Sequence, residues 1–173
     1  MATTKIDTTD NSRDSKNRAI PIILSPDRDK MLIGRAPNKS KDKLHMFDIV
    51  GKGHIEYGDD PKDTIVREAY EEGNLDLEGV PIQELGEVRY GEGTGFVYVL
   101  VLPEDPTNLE CHAVFDWYGK QLPEFVEYKW VRLDEAEEYL YKKLGEALFQ
   151  KNISSLKNTF MGKIKEMIKM GIL

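Results

Sequence analysis

Cysteine and histidine are scarce, with one cysteine, Cys111, and three histidines in 173 residues. A single cysteine excludes an internal disulfide and fits a reducing compartment. His112 stands apart from any second His or Cys at zinc-site spacing, so it reads as a surface or structural residue. No apolar run approaches the ~18 residues of a membrane span. Residues 1–18, MATTKIDTTDNSRDSKNR, carry no apolar stretch of the kind a secretion signal needs. Internal repeats are missing too. The Gly-rich run Tyr90-Gly-Glu-Gly-Thr-Gly95 lacks the Lys-Ser/Thr ending of a phosphate-binding loop and reads as a hairpin turn. The expectation is a cytoplasmic protein with no membrane partner, in which residues 1–18 form a flexible tail and residues 19–173 one domain. That length buries a substantial core without disulfide or metal staples.

Charge is abundant but unevenly placed. Acidic residues outnumber basic ones by 31 to 24. Residues 1–44 hold 10 Lys/Arg against 6 Asp/Glu, and residues 151–173 hold 5 against 1, so each end is +4 and the stretch between them −15. An acidic centre repels phosphate unless cations intervene, which fits a metal-dependent site for an anionic substrate.

The acidic centre peaks in residues 53–75, GHIEYGDDPKDTIVREAYEEGNL. Glu68, Glu71 and Glu72 stand at i, i+3 and i+4, which places them on one helix face, with Ile65, Val66, Ala69 and Tyr70 expected to face a core. Three carboxylates within about 6 Å repel one another. A hard divalent cation relieves that repulsion, since Mg²⁺ prefers carboxylate oxygens and shares its shell with water and substrate phosphates. Asp60 before Pro61 reads as the N-cap and N1 of this helix, and Gly73-Asn74 as its end, Asn tolerating the left-handed backbone a C-terminal cap needs. Gly51, Gly53 and Gly58 make the approach, where backbone can come close to a ligand.

Gly53, Arg67, Glu68, Ala69, Glu71, Glu72 and Leu75 fall on matching positions of the Nudix hydrolase box, and the stretch resembles it throughout. Asp59 stands in place of the first Glu of that box, and Asn74 in place of its last Gly. The resemblance implies an α/β fold, the Nudix α/β/α sandwich, with a mixed sheet and a helical C-terminus. It implies Mg²⁺, or Mn²⁺ in its place, held by Gly53, Glu68, Glu71 and Glu72, with Arg67 orienting the carboxylates.

Upstream, Ala19–Leu24 and Met31–Gly34 flank Ser25-Pro26-Asp27 and read as a hairpin. The loop after it concentrates Arg35, Lys39, Lys41 and Lys43, either as solvated charge or as contacts to outer phosphates, Arg35 being the candidate substrate ligand. Met46–Val50 reads as a strand. Downstream, Val80–Tyr90 and Phe96–Leu102 read as strands, with another short one near Cys111–Phe115. Trp117-Tyr118 falls in a loop, either as a small local cluster or as a stacking surface for a base. Phe125–Leu133 reads as a strand, and Asp134 with Glu137 as a capping box. Two amphipathic helical stretches follow. The second carries Lys157, Lys163, Lys165 and Lys169 on its polar side.

Pro123-Glu124-Phe125, followed by Tyr128 and Trp130-Val131, resembles RNA 5′-pyrophosphohydrolases and plant-type asymmetric diadenosine tetraphosphate hydrolases. That likeness implies Glu124 as a further metal ligand or base, with Glu127 as the fallback. Gly51-Lys52-Gly53-His54-Ile55-Glu56 resembles the corresponding run of animal-type diadenosine tetraphosphate hydrolases and implies Lys52 as a phosphate contact. Tyr90 falls where enzymes acting on diadenosine polyphosphates carry a tyrosine, though a strand-end aromatic is the plainer reading. The implied catalytic set is Glu68, Glu71, Arg67 and Glu124. The implied partner is a small nucleotide, a dinucleoside polyphosphate first, with RNA as the alternative and a non-catalytic nucleotide-binding module as a third reading. The chain is expected as a monomer or homodimer.

Overall fold

The computed structural model describes residues 16–150 and 159–173. Nine strands appear among them: β1 (Arg18–Leu24), β2 (Lys30–Arg35), β3 (Phe47–Ile49), β4 (Gly53–His54), β5 (Gln83–Tyr90), β6 (Gly93–Val101), β7 (Val114–Trp117), β8 (Lys120–Pro123) and β9 (Glu127–Arg132). Four helices accompany them: α1 (Pro61–Gly73), α2 (Ala136–Tyr139), α3 (Lys142–Phe149) and α4 (Phe160–Lys169).

β1 is the centre of a seven-stranded mixed sheet. It runs parallel to β6 from Arg18↔Gly95 to Leu24↔Val101, and β5 continues that side antiparallel to β6. On its other side β1 meets β2 only at Leu24↔Met31, where the expected hairpin turns. The two strands then diverge. β3 pairs with the far end of β2, and β4 pairs with the start of β1. The link from β3 to β4 therefore lies where the sheet has opened, and β9 closes the outer side of β2. β7 and β8 form a separate two-stranded hairpin.

Strict alternation along β1 explains the layers. Ala19 and Ile23 pack with Ile65 and Ala69 of α1, whereas Ile20, Ile22 and Leu24 pack with Leu144, Leu148 and Ile164 of the C-terminal helices. Helices thus cover both faces of a mixed sheet, the α/β/α arrangement expected of the Nudix resemblance. No helix among the described residues is long and apolar enough to cross a membrane.

Three local expectations change. In α1, Val66 and Tyr70 are exposed while Glu72 is buried. At 100° per residue Glu72 lies about 20° from Ile65, inside the buried arc that Ile65 and Ala69 define, and Tyr70 lies well outside it. Asp134 does not cap a helix. α2 begins after Glu135 without a side-chain cap, and the Asp134 carboxylate pairs with Lys165 instead. The apolar stretch from Tyr139 to Leu148 is not one helix, because Leu140 is extended and bridges Phe47 before α3 begins. In the last helical stretch Phe160, Ile164 and Met167 are buried as expected, while Leu156 and Lys157 lie outside the described residues.

Candidate active site

Both ends of α1 form as its sequence dictates. Asp60 is extended at φ −74° and accepts from the Lys62 N–H, and Pro61 follows at the first helical position. Asn74 is left-handed, with φ 56° and ψ 34°, and its N–H reaches the carbonyls of Ala69 and Tyr70. The remaining carbonyls of the last turn are met from elsewhere. Glu71 O accepts from His112 and Ala113 at 2.6 and 2.9 Å, and Glu72 O accepts from the Tyr128 hydroxyl. Ala113 O in turn accepts from the Glu124 N–H at 2.9 Å, so one loop joins the helix end to the segment that carries Glu124. His112 also stacks on Tyr70 and bonds the Asn74 side chain, the surface role expected of it.

The opened sheet brings backbone against the helix carboxylates. Gly51 is left-handed at φ 91°, and its N–H donates to Glu72 Oε1 at 2.8 Å. A Cβ at Gly53 would lie 2.5 Å from Glu68 Cγ, so only glycine lets β4 approach that side chain. Glu68 and Glu72 are close enough to influence each other's protonation. Burial pushes the Glu72 carboxyl well above its usual range, and the Glu68 charge adds to that. Burial also raises Glu68. The close approach of Glu72 and the Arg67 charge oppose the rise, and the Glu71 and Glu124 charges reinforce it. Four carboxylates therefore feel one another across a short span.

They line a cleft of about 790 Å³ together with Gly53 and Glu56. Arg18 from β1, Lys39 from the β2–β3 loop, Lys52 and His54 line the same cleft. Lys52 is held by Asp48 at 3.4 Å, with its ammonium 5.5 Å from the Tyr90 ring centre. Burial alone would lower the Lys52 pKa, but Asp48 and Tyr90 outweigh it and leave the pKa raised, so Lys52 is a firm cation. Arg67 lies 3.4 Å from Asp59 and 3.8 Å from Glu68, bridging the substituted position of the box to the carboxylate set.

Two expected substrate ligands do not line the cleft. The Arg35 guanidinium bonds Glu127 at 2.8 Å and the Lys39 carbonyl at 2.7 Å, so it shapes the loop that presents Lys39. The same ion pair occupies Glu127, the fallback for Glu124. Tyr90 is buried, with the Lys52 and Lys143 ammonium groups 5.5 and 5.0 Å from its ring centre, so it stands behind the cleft wall and touches it through Lys52.

Sequence reasoning did not single out Arg18, Asp48, Phe115 or Tyr141. For Asp48 a signal exists, because Phe47 and Ile49 alternate into the core and leave Asp48 on the opposite face. Arg18 and Tyr141 reach the cleft through pairings that no local spacing encodes, and Phe115 through the loop that ties Ala113 to the end of α1.

Among the described residues no three carboxylate, imidazole or thiol groups are gathered tightly enough to enclose an ion by themselves. The donor set is nonetheless all oxygen and anionic, with its members pressed together by burial. Such a set suits a hard cation that keeps waters and borrows substrate oxygens, as Mg²⁺ does. Glu68, Glu71, Glu72 and Glu124 are the residues that would hold it.

Residues 15–152 match the family model for the NUDIX domain. Among solved structures, the chain is similar to a C. elegans Ap4A hydrolase binary complex at 17% identity, covering 88% of this chain and 98% of that one with a TM-score of 0.59. It is also similar to the E. coli dihydroneopterin triphosphate pyrophosphohydrolase at 17% identity, covering 72% and 85% with a TM-score of 0.53. A MutT protein from Methanosarcina mazei Go1 aligns at 16% identity over 88% and 94% of the two chains, with a TM-score of 0.54. No curated protein sequence matches significantly. At such identities the structural likenesses carry the fold alone. The family match spans most of the sequence and coincides with the carboxylate helix just described, and on that ground the chain belongs to the Nudix family of hydrolases.

Proposed function

We propose that this Nudix hydrolase splits a phosphoanhydride of a dinucleoside polyphosphate, with diadenosine tetraphosphate as the model substrate and Mg²⁺ as its metal. The observation that carries the reading is one cleft lined both by four mutually interacting carboxylates and by Arg18, Lys39 and Lys52. A polyphosphate chain needs both kinds of residue, cations along its length and a metal-loaded acidic set where it is cut.

When bound, Mg²⁺ neutralises phosphate oxygens and lowers the pKa of an attacking water. Glu68, Glu71, Glu72 and Glu124 fix where that happens. Glu68 or Glu124 takes the water proton as the new P–O bond forms and the bridging P–O bond breaks. Arg67 keeps Glu68 oriented through its contacts to Asp59 and Glu68. Lys52 faces the leaving phosphate as a fixed positive charge.

Sequence runs around Lys52 and Glu124 support the dinucleotide over other nucleotides. The RNA alternative draws on the basic C-terminal helix. Against it, Lys163 donates to Leu85 O at 2.8 Å and Lys165 pairs with Asp134. Turnover of diadenosine tetraphosphate, ADP-ribose, deoxynucleoside triphosphates and triphosphorylated RNA should be compared with Mg²⁺ and with chelator. The expected result is the highest kcat/KM for diadenosine tetraphosphate, abolished by chelator. Faster turnover of RNA would replace this assignment.

A further inference from the structure

We propose that the tip of the β7–β8 hairpin is a nucleobase platform, on which Trp117 and Tyr118 stack a base of the nucleotide whose phosphates lie in the cleft. This deepens the nucleotide-hydrolase reading and rests on it.

Three rings run outward from the cleft. Phe115 lines it, Trp117 stands 6.4 Å from Phe115 on the same side of β7, and Tyr118 stands 4.8 Å from Trp117. A small core beneath a loop would bury such rings. Here Trp117 is 39% and Tyr118 89% exposed, so Tyr118 buries almost nothing and packing does not account for it.

The backbone adds an independent sign. Tyr118 and Gly119 form a two-residue turn with φ of +49° and +81°, the type I′ pattern in which Asn-Gly is favoured. A bulky aromatic in the left-handed region is uncommon and carries a conformational cost. Stability alone would place Asn there. The strain instead holds an aromatic ring outward on a hairpin that is continuous with the cleft wall, because Glu124 directly follows β8.

A flat π-system tethered to phosphates suits such a surface. Stacking accepts any base, since every base has a π-face. At about 790 Å³ the cleft lies toward the upper end of the roughly 300–1,000 Å³ common for small-ligand sites, which leaves room for more than a phosphate chain.

The test compares a substrate that has bases with a competitor that has none. KM and kcat for diadenosine tetraphosphate, and the inhibition constant of inorganic tripolyphosphate, are measured at fixed free Mg²⁺ for Trp117→Ala, Trp117→Phe and Tyr118→Asn. The alanine and asparagine variants should raise KM by roughly 5-fold or more. They should leave kcat and tripolyphosphate inhibition near wild type, and Trp117→Phe should retain most of the affinity. Tyr118→Asn should also raise the melting temperature, because Asn relieves the turn. KM and the inhibition constant moving together, or neither moving, overturns the platform. So does a change in sedimentation with KM unchanged, which would make the hairpin a contact between two copies. If wild type fails to hydrolyse diadenosine tetraphosphate, the substrate assignment fails on its own. Quenching of tryptophan fluorescence by adenosine nucleotides, absent in Trp117→Phe, then still supports the platform, and absence of quenching in wild type rejects it.

Discussion

The Tyr128 hydroxyl donates to the backbone carbonyl of Glu72, tying the last turn of the carboxylate helix to β9. Helix ends leave carbonyls without partners, and this one is met by a side chain from the strand that follows Glu124. Tyr128→Phe keeps the ring beside Phe125, 6.1 Å away, and removes only the donor. A buried acceptor left unpaired costs about 1–3 kcal/mol, so the denaturation midpoint should fall accordingly, with a loss of turnover as Glu72 loosens. An unchanged midpoint would mean that water replaces the hydroxyl.

Glu72→Gln tests the acidic set without disturbing the fold. Glutamine keeps an oxygen that can accept from the Gly51 N–H, the 2.8 Å contact that now holds Glu72 Oε1. It lacks the charge that a metal-loaded set requires. Activity should drop by roughly 10²-fold or more while the melting temperature holds. Near-normal turnover would remove Glu72 from the proposed ligand set.

The Glu68–Glu72 pair also sets a pH dependence for the metal-free protein. Burial raises both carboxyl groups in the folded state, Glu72 the more strongly. Above the ordinary carboxylate value the native state then holds more protons than the unfolded state, so stability present at lower pH is lost as pH rises through the raised values. In chelator the melting temperature should therefore fall across that window more in wild type than in Glu72→Gln. Saturating Mg²⁺ should flatten the difference, because it favours the charged carboxylates. Parallel wild-type and variant profiles in chelator would show that the pair does not titrate together.

Local rules made α1 legible from end to end, because Asp60, Pro61 and Asn74 act through their own backbone and immediate neighbours. The hairpins at Leu24↔Met31 and Tyr90↔Gly93 followed from turn chemistry in the same way. What stayed hidden depends on distant partners. Asp134 looks like a cap until Lys165 comes near, and Arg35 looks free until β2 pairs with β9 and supplies Glu127. Arg18 and Tyr141 join the cleft only because strands distant in sequence are neighbours in the fold. The glutamate spacing could be read as a ligand set. The degree to which Glu72 is buried could not, since it depends on how α1 rolls against the sheet.

Asn74 shows where a local reading needs the tertiary contacts added. Its φ of 56° suits Asn or Gly and opposes a β-branched residue. Asn74→Val should cost about 1 kcal/mol or more. Backbone preference alone would make Asn74→Gly neutral or mildly stabilising, but the Asn74 side chain also donates to Asn108 O at 3.0 Å and meets His112 Nε2 at 3.2 Å. Glycine should therefore fall between wild type and valine in melting temperature. Equal values for all three would mean that the cap contributes nothing.

The lysines of α4 separate the dinucleotide reading from RNA cleavage. Lys163 donates to Leu85 O, at the point where the β5–β6 register shifts between Glu84 and Gly86. Lys163→Gln should consequently cost about 1 kcal/mol of stability, the typical worth of such a bond. The Lys165–Asp134 pair has both side chains substantially exposed, so Lys165→Gln should leave the melting temperature close to wild type. If neither ammonium meets a nucleic acid, the double variant should cleave triphosphorylated RNA, where it does so at all, with the salt dependence of wild type. Were RNA held along this helix, each lost phosphate contact would reduce the slope of log kcat/KM against log salt by roughly 0.7. A slope smaller by about 1.4 in the double variant, with diadenosine tetraphosphate turnover unaffected, would move the substrate assignment to RNA.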